Sequence, residues 1–95
     1  MKGGYTYILT NKSRSVFYIG VTADLTKRMI AHRNGTGSIF CGRYHVSILV
    51  YYEFHQSIQE AIHREKQLKK WNREWKLELI RKNNPLLKDL TSPLA

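Results

Sequence analysis

The chain has 95 residues, enough for one domain whose single core buries roughly 60 to 65% of the unfolded surface, and too few for two. Sixteen Lys and Arg against seven Asp and Glu leave a net charge of +9; that excess points to a polyanionic partner, nucleic acid first, with a ribosome-associated or simply soluble basic protein as the plain alternative. Cys41 is the sole cysteine, which excludes an internal disulfide and a thiolate zinc site, and no run approaches the ~20 apolar residues of a membrane span, so a cytoplasmic location is expected.

Residues 5 to 10 and 15 to 21 are rich in β-branched and aromatic types, and Asn11-Lys12-Ser13-Arg14 between them favours a turn, so they predict a β-hairpin. If Leu9 faces Val16, Tyr7 faces Tyr18 directly and both phenols share one side of the sheet; a slip of one residue would separate them. Thr22 or Asp24 can cap a helix over residues 25 to 33 that stops near Gly35. On it Leu25, Arg28, Met29 and His32 share a face, and Arg28 and His32, four apart, can converge on one ligand. Without the tyrosines beside them, Lys27, Arg28, His32 and Arg33 read as the solvated rim of a surface helix.

Residues 35 to 44 predict a loop, too weakly patterned to be a phosphate cradle. Cys41 there reads as a small, partly buried side chain rather than a nucleophile. The near-continuous apolar stretch from 45 to 54 predicts a central strand buried on both faces. Ser57 and Glu60 form a capping box that opens a helix to about Lys70. Its apolar stripe of Ile58, Ala61, Ile62 and Leu68 carries one carboxylate, Glu65, which must be ion-paired, protonated or bound to a cation. A last helix begins after Asn72 and ends before Pro85. Trp71 and Trp75 are expected to pack against the sheet, while Lys66, Lys69, Lys70, Arg73 and Lys76 form the surface that meets phosphates. The order is β-β-α-β-α-α, an α+β domain over residues 1 to 95.

At these residues the chain resembles the GIY-YIG nucleases. Tyr5-Thr6-Tyr7 stands where the first signature tripeptide would be, and Tyr18-Ile19-Gly20 matches the second at the expected separation. Arg28 and His32 match the arginine and the histidine or tyrosine of the following helix, and Glu65 matches the metal-binding glutamate. Tyr5 and Thr6 depart from the glycine and isoleucine of the first tripeptide. The likeness is strongest to the small stand-alone bacterial branch, without the separate DNA-recognition domain that larger relatives append. It implies a three-stranded antiparallel sheet flanked by helices, one divalent cation held chiefly by a glutamate, and hydrolysis of a DNA phosphodiester. An asparagine role late in the family's domain would fall on Asn83 or Asn84.

The chemistry implied by the resemblance gives each side chain a task. Glu65 would hold Mg²⁺ or Mn²⁺, and Arg28 would stabilise the charge of the pentavalent transition state. Tyr7 or Tyr18 would take a proton from the attacking water, directly or through His32. Lys27, Lys66, Lys69, Lys70, Arg73 and Lys76 would bind the nucleic acid, with Gly20 and Asn84 as further candidates. The competing expectation is a non-catalytic nucleic-acid-binding module of the same fold; a third is a protein-interaction domain with exposed tryptophans.

Overall fold

The computed structural model describes residues 3–35 and 39–91, without the side chains of residues 39 and 40. The hairpin forms as β1 (Gly4–Thr10) and β2 (Phe17–Thr22), paired antiparallel with Tyr7 opposite Gly20 and Leu9 opposite Tyr18. The register is thus two residues away from the expected Leu9–Val16 pairing. The connection explains the shift. Asn11 Oδ1 accepts from the backbone N–H groups of Ser15 and Val16, Thr10 Oγ1 donates to the Val16 carbonyl, and Arg14 takes a left-handed φ of 59°, so the side chain of Asn11 holds Val16 in the turn. A two-residue shift preserves parity, and the two phenols still share one face.

Helix α1 (Leu25–Arg33) is capped by the Asp24 carboxylate, which accepts from the Lys27 N–H at 3.0 Å, a contact worth ~1 kcal/mol. It ends at Asn34, and Gly35 follows with φ of 77°, the left-handed conformation that glycine adopts without strain. The expected loop then gives way to a short helix, α2 (Ile39–Tyr44). Nothing in its sequence breaks a helix except Gly42, and burial of Cys41 against the same core as Tyr7 and Val46 holds it down. His45, at φ 55°, stops it, and the Val46 N–H bonds the Cys41 carbonyl at 2.9 Å.

Strand β3 is Ile48–His55, starting three residues later than expected, and the sheet order is β2-β1-β3. The central strand is therefore β1, and β3 is an edge. Two threonines disguise β1: Thr6 Oγ1 donates to the Ala61 carbonyl at 2.8 Å and Thr10 Oγ1 to the Val16 carbonyl at 2.7 Å, so both hydroxyls are satisfied inside the fold. The apolar run of β3 has a different cause from centrality. One extra residue bulges opposite Ile8/Leu9, so Leu49 enters one core cluster while Val50 and Tyr51 both enter the other. Beyond them Tyr52 and Phe54 emerge into solvent, with Tyr5 edge-on to each.

Helix α3 (Ile58–Lys69) starts at Ser57, whose Oγ accepts from the Glu60 N–H, and α4 (Arg73–Asn83) starts at Asn72. One sheet face carries Tyr7 and Leu9 against Leu25, Met29, Cys41 and Leu49; the other carries Ile8 and Ile19 against Leu68 and Ile80. Helix α3 is further pinned to β3 by Arg64, whose Nε donates to Glu53 Oε1 at 2.8 Å, while the Tyr51 hydroxyl donates to Glu53 Oε2. Burial raises the Glu53 carboxyl, but Tyr51, Arg64 and His55 outweigh it and hold the group below its usual range. The Tyr51 phenol is pushed up to about 12 by burial and by this carboxylate. After α4, Asn84 is buried, and its amide donates to the carbonyls of the bulged Val50 and of Lys88 while its Oδ1 accepts from the Lys88 N–H. All three bonds go to backbone, so Asn84 is a strap for β3 and not a member of the site; Asn83 is exposed at the helix end.

Candidate active site

The site is built on the β1/β2 face that α1 covers. Tyr7 is 1% exposed and lies across Gly20, where a Cβ would stand 2.4 Å from both Cζ and Oη of the phenol. Glycine inside a strand commonly marks such a close approach, and this is the signal that makes Gly20 part of the site. Tyr18 sits diagonally beside Tyr7, ring centroids 6.4 Å apart, and is half-buried. From α1, His32 reaches between them: its Nε2 shares a 3.0 Å hydrogen bond with Tyr7 Oη, and its ring is 5.8 Å from each tyrosine ring.

Arg28, one turn before His32, is half-buried and makes no ion pair among the described residues. Its charge is felt at both Tyr7 and His32. Burial above all, then Tyr18, raises the Tyr7 phenol far beyond its usual range; Arg28 pulls it down, while Cys41 and Glu65 add to the rise. Tyr7 is therefore a protonated hydroxyl at neutral pH. Those influences also show that Glu65, though carried by α3, lies near the two tyrosines. His32 is lowered, first by burial and then by Arg28, so the imidazole is neutral at pH 7. Its Nδ1 is buried with no hydrogen-bond partner among the described residues, a cost of about 1–3 kcal/mol that the fold carries at this point.

The His32 shift has a measurable sign. Because the folded imidazole binds a proton less readily than the unfolded one at 6.5, the unfolded state holds more protons below that pH, and folding stability drops as pH falls under about 6.5. Glu53 acts in a separate, more acidic window, its contribution present above 4.5 and lost as pH falls through its lowered folded value. Melting temperatures measured between pH 7.5 and pH 5 should decline, and His32→Gln should flatten that decline. An unchanged slope in the variant would mean another group carries it.

Glu65 Oε2 is 3.0 Å from Lys69 Nζ, with 16% of the Glu65 side chain and 54% of that of Lys69 exposed. The carboxylate on the apolar stripe is therefore ion-paired along its own helix. Among the described residues no group of three or more His, Cys, Asp or Glu could hold a metal ion. A hard cation such as Mg²⁺ is nevertheless bound by one or two carboxylates, with water and substrate phosphate completing its shell. Glu65 is chemically suited to such a one-carboxylate site if Lys69 swings away, and a half-exposed lysine can do so.

The expected phosphate-binding residues separate into two sets. Lys27, Lys66 and Lys70 are exposed, Lys76 is half-buried, and none of the four is ion-paired among the described residues. Lys69 is engaged by Glu65. Arg73 is also committed: its Nη1 and Nη2 donate to the carbonyls of Ser15 and Arg14 at 2.9 Å each, and its guanidinium lies over the Phe17 ring at 5.0 Å. That fork clamps α4 to the hairpin turn.

A family model described as the GIY-YIG catalytic domain matches residues 3–78, which include every member of the cluster and stop short of Asn84. The chain belongs to the GIY-YIG family. Within it the chain is 47% identical over 77 residues to a UPF0213 protein of Clostridium perfringens, covering 80% of this chain and 81% of that one. It is 38% identical over 76 residues to a UPF0213 protein of Staphylococcus saprophyticus, with 80% and 92% covered. The solution NMR structure of a UPF0213 protein from Bacillus halodurans superposes with a TM-score of 0.57 at 30% identity, over 95% of each chain. The GIY-YIG fold thus accounts for the β2-β1-β3 sheet and for the strand-borne phenols. Among the described residues no helix is long and apolar enough to cross a membrane.

Proposed function

We propose that this GIY-YIG domain is a metal-dependent DNA endonuclease. The observation that supports it most is the convergence of Tyr7, Tyr18, Arg28 and His32 at one point, with Glu65 near enough to act on the Tyr7 phenol. A divalent cation on Glu65 would supply Lewis acidity to a phosphate oxygen and to the leaving 3′-oxygen. Arg28, unpaired and half-buried, presents a planar fork to the extra charge of the pentavalent transition state. Water attacks phosphorus, the bond to the 3′-oxygen breaks, and the departing oxygen takes up a proton.

Burial ranks the two phenols. Tyr7 is enclosed and held protonated, so its part is to orient His32 through the 3.0 Å bond. Tyr18 is the phenol that water can reach, and it accepts the proton of the attacking water, with Arg28 and the cation favouring its phenolate. The competing reading, a binding module without catalysis, draws on the Glu65–Lys69 pair, which occupies the carboxylate a cation would need.

Purified protein incubated with single-stranded, duplex, flap and branched DNA in Mg²⁺, Mn²⁺ or EDTA separates the two. Cleavage with metal and none with EDTA is expected, and binding without cleavage under every condition would leave the module. Tyr18→Phe should cut the rate by ~10²- to 10⁴-fold with little change in stability. Tyr7→Phe should cost about 1–2 kcal/mol of stability as well, since it removes a buried, bonded hydroxyl. Equal parent-like rates in both variants would make the phenols structural.

A further inference from the structure

The basic face of α3 carries something that cations alone do not explain. Trp75 is 53% exposed, the largest side chain on the surface, although its spacing on α4 predicts burial against the sheet. Trp71, half-buried, is held in place: Arg64 lies over its ring at 5.2 Å, and Trp75 meets it at 5.9 Å with an interplanar angle of 88°. Two grooves adjoin this pair. One is lined by His63, Lys66, Gln67 and Lys70 together with the two indoles. The other is lined by the same indoles with Glu78, Leu79 and Lys82. Lys66, Lys70 and Lys82 are exposed and unpaired among the described residues, and Glu78 is the single carboxylate facing them.

We infer that Trp75 and the flanking Lys66, Lys70 and Lys82 form a binding surface for single-stranded DNA, separate from the Tyr7–His32 centre, in which an unpaired base stacks on the indole and the lysines hold the adjoining phosphates. A folded protein partner would be matched by an apolar patch of larger extent, and duplex DNA offers no base face to an indole. Three cations ringing an exposed indole complement a strand whose every unit pairs a π-face with a negative charge. The position gives the surface a use. On α3, at 100° per residue, Glu65 and Lys69 turn toward the sheet edge, Lys66 and Lys70 lie over the crest, and His63 and Gln67 fall on the far flank. The helix is ~10–12 Å across with its side chains. A strand resting on Trp75 therefore crosses Lys70 and Lys66 and arrives at Glu65 after a few nucleotides. This path rests on the nuclease reading; the binding surface itself does not.

The test is intrinsic tryptophan fluorescence during titration with a short oligo-dT in EDTA, where cleavage plays no part. Saturable quenching is expected, with heparin displacing the oligonucleotide but not quenching by itself. Trp75→Ala should weaken binding by roughly 5- to 100-fold. Trp75→Phe should keep most of the affinity, because the ring remains, and Lys66→Gln with Lys70→Gln should lower the salt dependence of what binding persists. Parent-like affinity in Trp75→Ala, quenching by heparin alone, tighter binding of duplex than of single strands, or much tighter binding of oligo-rU would each overturn the proposal. So would self-association in sedimentation that Trp75→Ala abolishes, which would give the indole to a second copy of the chain. Quenching that persists in a protein unable to cleave any DNA would uphold this surface while removing the nuclease reading.

Discussion

Glu65→Gln is expected to abolish metal-dependent cleavage while leaving the fold and DNA binding intact. Glutamine keeps the shape of the side chain but lacks the charge that holds a hard divalent cation, so the Lewis acid is lost. The structural cost is small, because the partner lysine is more than half exposed and the pair lies along one helix; such pairs contribute ~0–1 kcal/mol. A melting temperature within a few degrees of the parent follows for a domain of this size. Removing a negative charge beside a polyanion should leave affinity for DNA equal or tighter when no metal is present. Thermal melts, gel-shift affinity and cleavage on the same preparation decide the matter. A fall of more than about 10 °C with parent-like cleavage per folded molecule would show that Glu65 serves the helix through Lys69 and not a cation.

Much of the site is legible in the sequence because its members are fixed by local periodicity. Arg28 and His32 are one helical turn apart whatever the rest of the chain does, and Asp24 and Ser57 cap their helices as the residue types require. The hairpin parity survives because apolar alternation sets which face each phenol occupies, even though the register itself moved by two. What eluded the sequence depends on contacts between distant segments. Nothing local announces that Asn11 gathers two backbone N–H groups into the turn, or that Arg73 spends its guanidinium on the carbonyls of Arg14 and Ser15. The centre of the sheet was misplaced for a related reason. Apolar density reads as centrality, yet β3 owes its run to a bulge, while β1 hides two threonines whose acceptors lie on other segments.

Fold and chemistry meet most closely at Gly20, and Gly20→Ala is the substitution that tests the join. The added Cβ would stand 2.4 Å from Tyr7 Cζ and Oη and 2.9 Å from Cε1, distances at which one group must move. Tyr7 cannot retreat easily, since its ring is enclosed by Leu9, Leu25, Met29 and Cys41, and cores packed this closely resist overpacking at a cost of ~1–3 kcal/mol. For a domain of this length that corresponds to a melting temperature lower by roughly 4–20 °C. The displaced phenol also leaves His32 Nε2, so the imidazole loses its only bonded partner and the orientation that its neutral ring needs. Cleavage by the folded fraction should therefore fall more steeply than stability, by an expected ~10²-fold where a positioned acid–base group is lost. Gly20→Ala at parent-like stability and rate would mean that the strands spread to admit the methyl, and that the phenol–imidazole contact is not what the site depends on. A variant that melts earlier yet cleaves normally per folded molecule would instead confine Gly20 to packing and return the choice of proton acceptor to Tyr18 alone.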